Sequence, residues 1–167
     1  MTIFDRKLED AIWFVADKFE VGKDLKKPTL LHSIRVGLYL HEGGYNKDTC
    51  IGGILHDVIE DTKTSEKEIE SRFGSKIAEI VVVNSKDMNI VDNVMRSEVL
   101  IKKCATHSRE SAVIKAADIL DNIRYYRRIE DELNLNTMIK RGKMLLVEKN
   151  ADFQDEVFRD LEKEISQ

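Results

Sequence analysis

Four ionisable side chains crowd the seven residues HDVIEDT at 56–62: His56, Asp57, Glu60 and Asp61. His56 and Glu60 stand four apart, as do Asp57 and Asp61, and on a helix that spacing sets each pair side by side. The residues just before them, Gly52, Gly53, Ile54 and Leu55, carry no polar side chain, so the cluster closes a segment composed like a buried helix. Carboxylates at a helix C-terminus oppose the macrodipole, at about 0.3 to 1 kcal/mol per exposed charge, and a compensating cation is expected. A divalent metal is one such cation, and imidazole with carboxylate suits Mn, Fe, Co or Zn rather than Ca. The competing reading is a solvated helix end with one histidine held inside by hydrogen bonds.

A ligand shell needs further donors. His32, between Leu31 and Ile34, and Asp118, within KAADILDNIR, are titratable groups in apolar surroundings, and each costs stability unless paired. A lone histidine on an apolar face is commonly a core residue; an aspartate inside a core helix asks more strongly for a partner. A metal held by imidazole and carboxylate, with positions left open, would bring the pKa of a bound water near neutrality, and Glu60 or Asp61 can accept its proton. Lys23, Lys26 and Lys27 form the densest cationic cluster near this set, suited to a polyphosphate.

The elements that must position these groups read as helices. One proline and eight glycines punctuate the whole chain, too few turn signals for an all-β or α/β protein. Phe4, Leu8, Ile12, Val15 and Phe19 recur at helical steps, and Gly22 is expected to end that helix. Pro28 suits the start of a second, 29–41, which Gly43 and Gly44 stop. A third is expected over 47–60, central and buried. Ser65 with Glu68 reads as a capping box opening a short helix that Gly74 interrupts. Further helices are expected over 76–83, 92–106 and 110–128, and the stretch 136–167 repeats Phe153, Val157, Leu161 and Ile165 at helical spacing. His107 and the Tyr125, Tyr126, Arg127, Arg128 run are expected at solvated helix ends.

Composition narrows the classes. At 167 residues, with 42% hydrophobic and 35% charged, the chain suits one globular domain and is not disordered. A formal net charge of -4 offers no general attraction to nucleic acid or an anionic membrane. Cys50 and Cys104 lie far apart with no CxxC spacing, which is consistent with a reducing compartment. The N-terminal MTIFDRKLEDAIWF lacks a basic start and an apolar core, so no secretory signal is read there. No apolar run approaches the ~20 residues of a membrane span. A soluble cytoplasmic protein is the expectation. HEGGY at 41–45 has Tyr45 where the second histidine of HExxH is required, and neither GxxxxGK[ST] nor GxGxxG occurs.

The order His, His-Asp, Asp across three helices resembles the HD superfamily of metal-dependent phosphohydrolases. HDVIEDT, the following TSEKEIESRFGSKIAEIV and the later KAADILDNIR resemble, over about residues 10–128, the hydrolase domain of the RelA/SpoT family, which removes pyrophosphate from the 3′ position of guanosine alarmones. The resemblance implies an all-α, single-domain HD-type helical bundle over 1–167. It implies one metal, preferably Mn, on His32, His56, Asp57 and Asp118, with catalytic carboxylates Glu60 and Asp61. Asn122 would contact the nucleotide, Lys23 falls where a purine-stacking Arg often stands, and Lys86 follows Ser85 as in a similar Ser-Lys of the family. Ser33 departs from the proline usual after the first ligand, and GKDLKKPTLLH departs from the basic segment that usually precedes it. The function implied is hydrolysis of ppGpp to GDP and pyrophosphate. The alternatives are an HD phosphohydrolase of another nucleotide or dinucleotide cofactor, or a non-catalytic nucleotide sensor or antitoxin-like partner. A small-molecule nucleotide is the expected partner, with neither membrane nor nucleic acid.

Overall fold

A computed structural model describes residues 2–19 and 27–167, which contain ten helices and no strand. The chain divides into two compact units, Met1–Ser85 and Lys86–Gln167.

In the first unit α1 (Ile3–Lys18), α2 (Thr29–Glu42), α3 (Lys47–Leu55), α4 (Val58–Asp61), α5 (Glu66–Phe73) and α6 (Ser75–Asn84) follow one another. α3 is the central helix, packed on by α1, α2 and α6, and every residue from Thr49 to Leu55 is buried. Its approach to α2 depends on two glycines. A Cβ on Gly37 would overlap the Ile54 side chain, and one on Gly53 would meet Leu40 Cδ1 at 2.6 Å. That proximity brings α2 and the end of α3 close enough to share a site.

Local signals set most boundaries. Thr2 and Asp5 form a reciprocal capping box at α1; Gly43 closes α2, and Gly44 follows in the left-handed region at φ 72°. Gly74 separates α5 from α6 at φ 96°, a conformation that side chains resist. The run Val81, Val82, Val83 is helical within α6, as its continuity with Ile77 and Ile80 predicts.

Four expectations are corrected. α1 ends at Lys18, and Gly22 lies outside the described residues; its inward face takes Leu8, Ala11, Phe14 and Val15, while Phe4 and Ile12 are only half-buried. Phe14 turns in to meet Phe73 edge-on at 5.3 Å. Ser65 caps α5 through the Glu68 amide, but the Glu68 carboxylate pairs with Lys18 at 2.7 Å, not with its own cap. The helix expected over 47–60 is two, broken between His56 and Val58.

In the second unit α7 (Asn93–His107), α8 (Arg109–Arg128), α9 (Glu132–Glu148) and α10 (Glu156–Ile165) pack with α8 at the centre. α8 buries residues around most of its girth, among them Val113, Ile114, Ala116, Ala117, Ile119, Leu120 and Ile123, as expected of a core helix. Arg109 reaches Asp155, and Arg124 and Arg127 reach Glu164, tying the C-terminal segment to α8. The fourth correction falls here: Tyr126 is buried, not at a solvated end, while Tyr125 lies half-buried beneath Arg128. Phe153 sits in the turn between α9 and α10, and Val157, Phe158 and Leu161 form the buried face beyond it. No helix among the described residues is long and apolar enough to cross a membrane.

Candidate metal centre

His56 occupies the C-terminal cap of α3 and Asp57 the residue before α4. His56 Nδ1 lies 2.8 Å from the Gly53 carbonyl oxygen, the acceptor that a continuous helix would offer to the Asp57 amide. A carbonyl only accepts, so Nδ1 carries the hydrogen in that contact, and in the neutral ring Nε2 keeps its lone pair.

That lone pair points to a crowded place. His56 Nε2 is 3.2 Å from Asp57 Oδ2, and His32 Nε2, from the buried face of α2, is 3.7 Å from the same oxygen. Both imidazoles are fully buried and meet edge-to-face with centroids 5.1 Å apart. Two ring nitrogens about one carboxylate oxygen gather three atoms able to share electron pairs, and a cation among them would satisfy all three. The donor set fits a divalent first-row metal: two imidazole Nε2 atoms, one locked in its tautomer by a backbone carbonyl, and one carboxylate. Lys27 Nζ stands 3.9 Å from Asp57 Oδ2, adding a half-buried cation at the edge.

The other expected residues fall as follows. Glu60 and Asp61 lie half-buried on α4, in the turn that begins at Asp57. Lys23 and Lys26 lie outside the described residues. Lys86 opens the second unit directly after the buried Ser85. In that unit Asp118 sits on α8, where Asn122 Nδ2 donates to its Oδ1 at 2.6 Å and to its carbonyl at 2.9 Å. Lys115 Nζ donates to Asp118 Oδ2 at 3.0 Å. Lys115 escaped the sequence reading, although a lysine three residues before an aspartate in an apolar helix is itself a signal.

Comparison with known proteins places this arrangement. A family model described as HD domain matches residues 11–141, most of the chain and every residue named at this site.

The chain belongs to the HD-domain family.

Within it, this HD-domain chain is 33% identical over 129 residues to the Xenopus tropicalis protein named guanosine-3′,5′-bis(diphosphate) 3′-pyrophosphohydrolase MESH1, covering 74% of this chain and 71% of that protein. It is 31% identical over 121 residues to an Aquifex aeolicus (strain VF5) protein named guanosine-3′,5′-bis(diphosphate) 3′-pyrophosphohydrolase, covering 71% of this chain but 17% of that longer protein. The resemblance to the RelA/SpoT-type hydrolase domain is thus shared by a relative matched over most of its length and by a longer one matched over a small part. The fold matches a solved structure described as a metazoan ortholog of SpoT that hydrolyzes ppGpp, with a TM-score of 0.81 at 22% identity, over 96% of this chain and 94% of that one. A crystal structure of a Listeria monocytogenes EGD-e protein matches with a TM-score of 0.71 at 19% identity, over 81% and 91%. All-α architecture of the HD type follows.

Proposed function

We propose that this HD-domain chain hydrolyses ppGpp to GDP and pyrophosphate, with residues 1–167 acting as one phosphohydrolase domain in the cytoplasm. The observation that carries the reading is the convergence of the His32 and His56 Nε2 atoms on the Asp57 carboxylate within HDVIEDT, in a chain whose Xenopus tropicalis relative is named for that reaction. In this reading His32, His56, Asp57 and, by the family pattern, Asp118 hold one divalent metal, preferably Mn, with Fe, Co or Zn as substitutes. Bound there, such a metal lowers the pKa of water toward neutrality and offsets charge on a phosphate oxygen.

The chain's own residues supply the remaining parts. The Gly53 carbonyl holds the His56 ring through Nδ1, so that in the neutral ring Nε2 presents its lone pair. Glu60 and Asp61 are the catalytic carboxylates, and one of them takes the proton of the attacking water. The water oxygen bonds to the first phosphorus of the 3′ diphosphate, the bond from that phosphorus to the 3′ oxygen breaks, and the proton ends on that oxygen as the hydroxyl of GDP. Lys27, beside Asp57, offers charge to the diphosphate, with Lys23, Lys26 and Lys86 as further cations, and Asn122 contacts the nucleotide. Lysine at 23 lacks the planar guanidinium that stacks on a purine, so selectivity for guanine over adenine is expected to be modest.

The test is the purified protein with Mn²⁺ and ppGpp, its early products resolved by anion exchange and ³¹P NMR. GDP and intact pyrophosphate are expected. Orthophosphate first, or brisk hydrolysis of a dinucleotide cofactor phosphate beside inert ppGpp, would reassign the chain to another nucleotide phosphohydrolase; tight binding without turnover would make it a sensor.

A further inference from the structure

Lys115 holds a charge where charge is expensive. Its side chain is 6% exposed and that of its partner Asp118 13%, on a helix whose neighbouring positions 111–117 are all buried. A pair at this spacing on a wet helix face stabilises little, and an apolar residue would fill a buried position at least as well as an ion pair. The contact geometry gives the pair a purpose. Lys115 Nζ donates to Oδ2 of Asp118 at 3.0 Å from one turn before, and Asn122 Nδ2 donates to Oδ1 at 2.6 Å from one turn after. The carboxylate is gripped on both oxygens by its own helix, which fixes the plane of the group.

We infer that Lys115 is a positioning residue that, with Asn122, orients the Asp118 carboxylate and balances its buried charge before a metal binds. The inference rests on the reading of Asp118 as a metal ligand. Groups that orient metal ligands from behind typically change affinity by about 10 to 100-fold when removed, and Lys115 occupies that place for a carboxylate as the Gly53 carbonyl does for His56.

The test is titration of Mn²⁺ into the metal-free full-length protein by calorimetry. Lys115→Met is expected to weaken Mn²⁺ binding by about 10 to 100-fold, to recover turnover of ppGpp as Mn²⁺ is raised, and to leave KM for ppGpp unchanged; Lys115→Arg should restore most of the affinity. Lys115→Met binding Mn²⁺ within twofold of wild type would overturn the inference alone. A wild type that takes up no divalent metal would overturn the metal-centred reading and the inference with it. Should Lys115→Met fail to fold, the double variant Lys115→Met/Asp118→Asn decides, because removing the stranded charge is expected to restore folding; a double variant as unfolded as the single one shows that Lys115 serves the fold by other contacts and overturns the inference.

Discussion

His56 donates through Nδ1 to the carbonyl oxygen of Gly53 at 2.8 Å, three residues back in the same helix. That contact selects the tautomer whose Nε2 can bind a metal, and Asp57, the residue before α4, sets its carboxylate against both imidazoles.

Removing that carboxylate tests the centre. Asp57→Ala is expected to lose metal, measured by elemental analysis of the dialysed protein, and to lose turnover of ppGpp. Its far-UV circular dichroism should stay close to wild type, since the core of α3 and its neighbours is apolar and untouched. Full metal content in Asp57→Ala would remove Asp57 from the ligand set.

Glu60→Gln keeps size and polarity but cannot accept a proton. Retained metal with a rate lower by about 10² to 10⁴ is expected, the usual range for one general acid or base. A rate within a few-fold of wild type would move the proton acceptor to Asp61, to be tested by Asp61→Asn.

Lys27 stands at the edge of the centre, 3.9 Å from the Asp57 carboxylate. Lys27→Ala is expected to raise KM for ppGpp by about tenfold, the equivalent of ~1.4 kcal/mol, with a smaller change in kcat. Steady-state kinetics at low and high salt would check it, because screening weakens what attraction remains. An unchanged KM would leave Lys27 as a partner of Asp57 only.

The α2 and α3 crossing has no room for a methyl group at Gly37, where a Cβ would overlap Ile54. Ile54 is fully buried and branched at Cβ, so it cannot swing aside. Gly37→Ala should destabilise by about 1 to 3 kcal/mol through overpacking, seen as a lower urea midpoint, and should weaken metal binding by parting His32 from His56. Wild-type stability in this variant would show that the helices can separate without cost.

Burial pushes the Cys50 thiol up to about 11 from the ordinary 9.0. Below about pH 9 the thiol is protonated in folded and unfolded chains alike and contributes no difference. Between 9 and 11 the unfolded chain releases the proton while the folded one keeps it, so stability falls as pH rises through that window, by up to ~1.4 kcal/mol per pH unit. Urea unfolding across pH 8–11 should show a shallower decline in Cys50→Ala than in wild type. Native Cys50 should also resist thiol reagents at neutral pH.

Much of this protein was legible in local sequence. Thr29 to Glu42 begins after Pro28 and ends at Gly43, Ser65 caps α5, and Gly74 parts two helices, because caps and left-handed turns are properties of a residue and its chain neighbours. HDVIEDT gathered His56, Asp57, Glu60 and Asp61 by spacing alone, titratable groups in apolar surroundings marked His32 and Asp118, and the family resemblance joined them as a candidate set.

The tertiary structure decided what periodicity leaves open. A helical stripe specifies an inward face only to within a residue or so, and the partner that packs there chooses: Phe14 rather than Ile12 turns inward to meet Phe73, and Tyr126 enters the second unit's core. Glu68 left its own cap for Lys18 because α1 lies within reach. The continuous helix expected over 47–60 is interrupted at Asp57, whose backbone sits at φ -97°, ψ -3°, a departure that hydrophobic spacing does not register. His32 and His56 are distant in sequence, and their meeting 5.1 Å apart required the close approach of α2 and α3 that Gly37 and Gly53 permit. Residue types determined which chemistry this chain could do; the close approach of α2 and α3 decided that the two histidines meet.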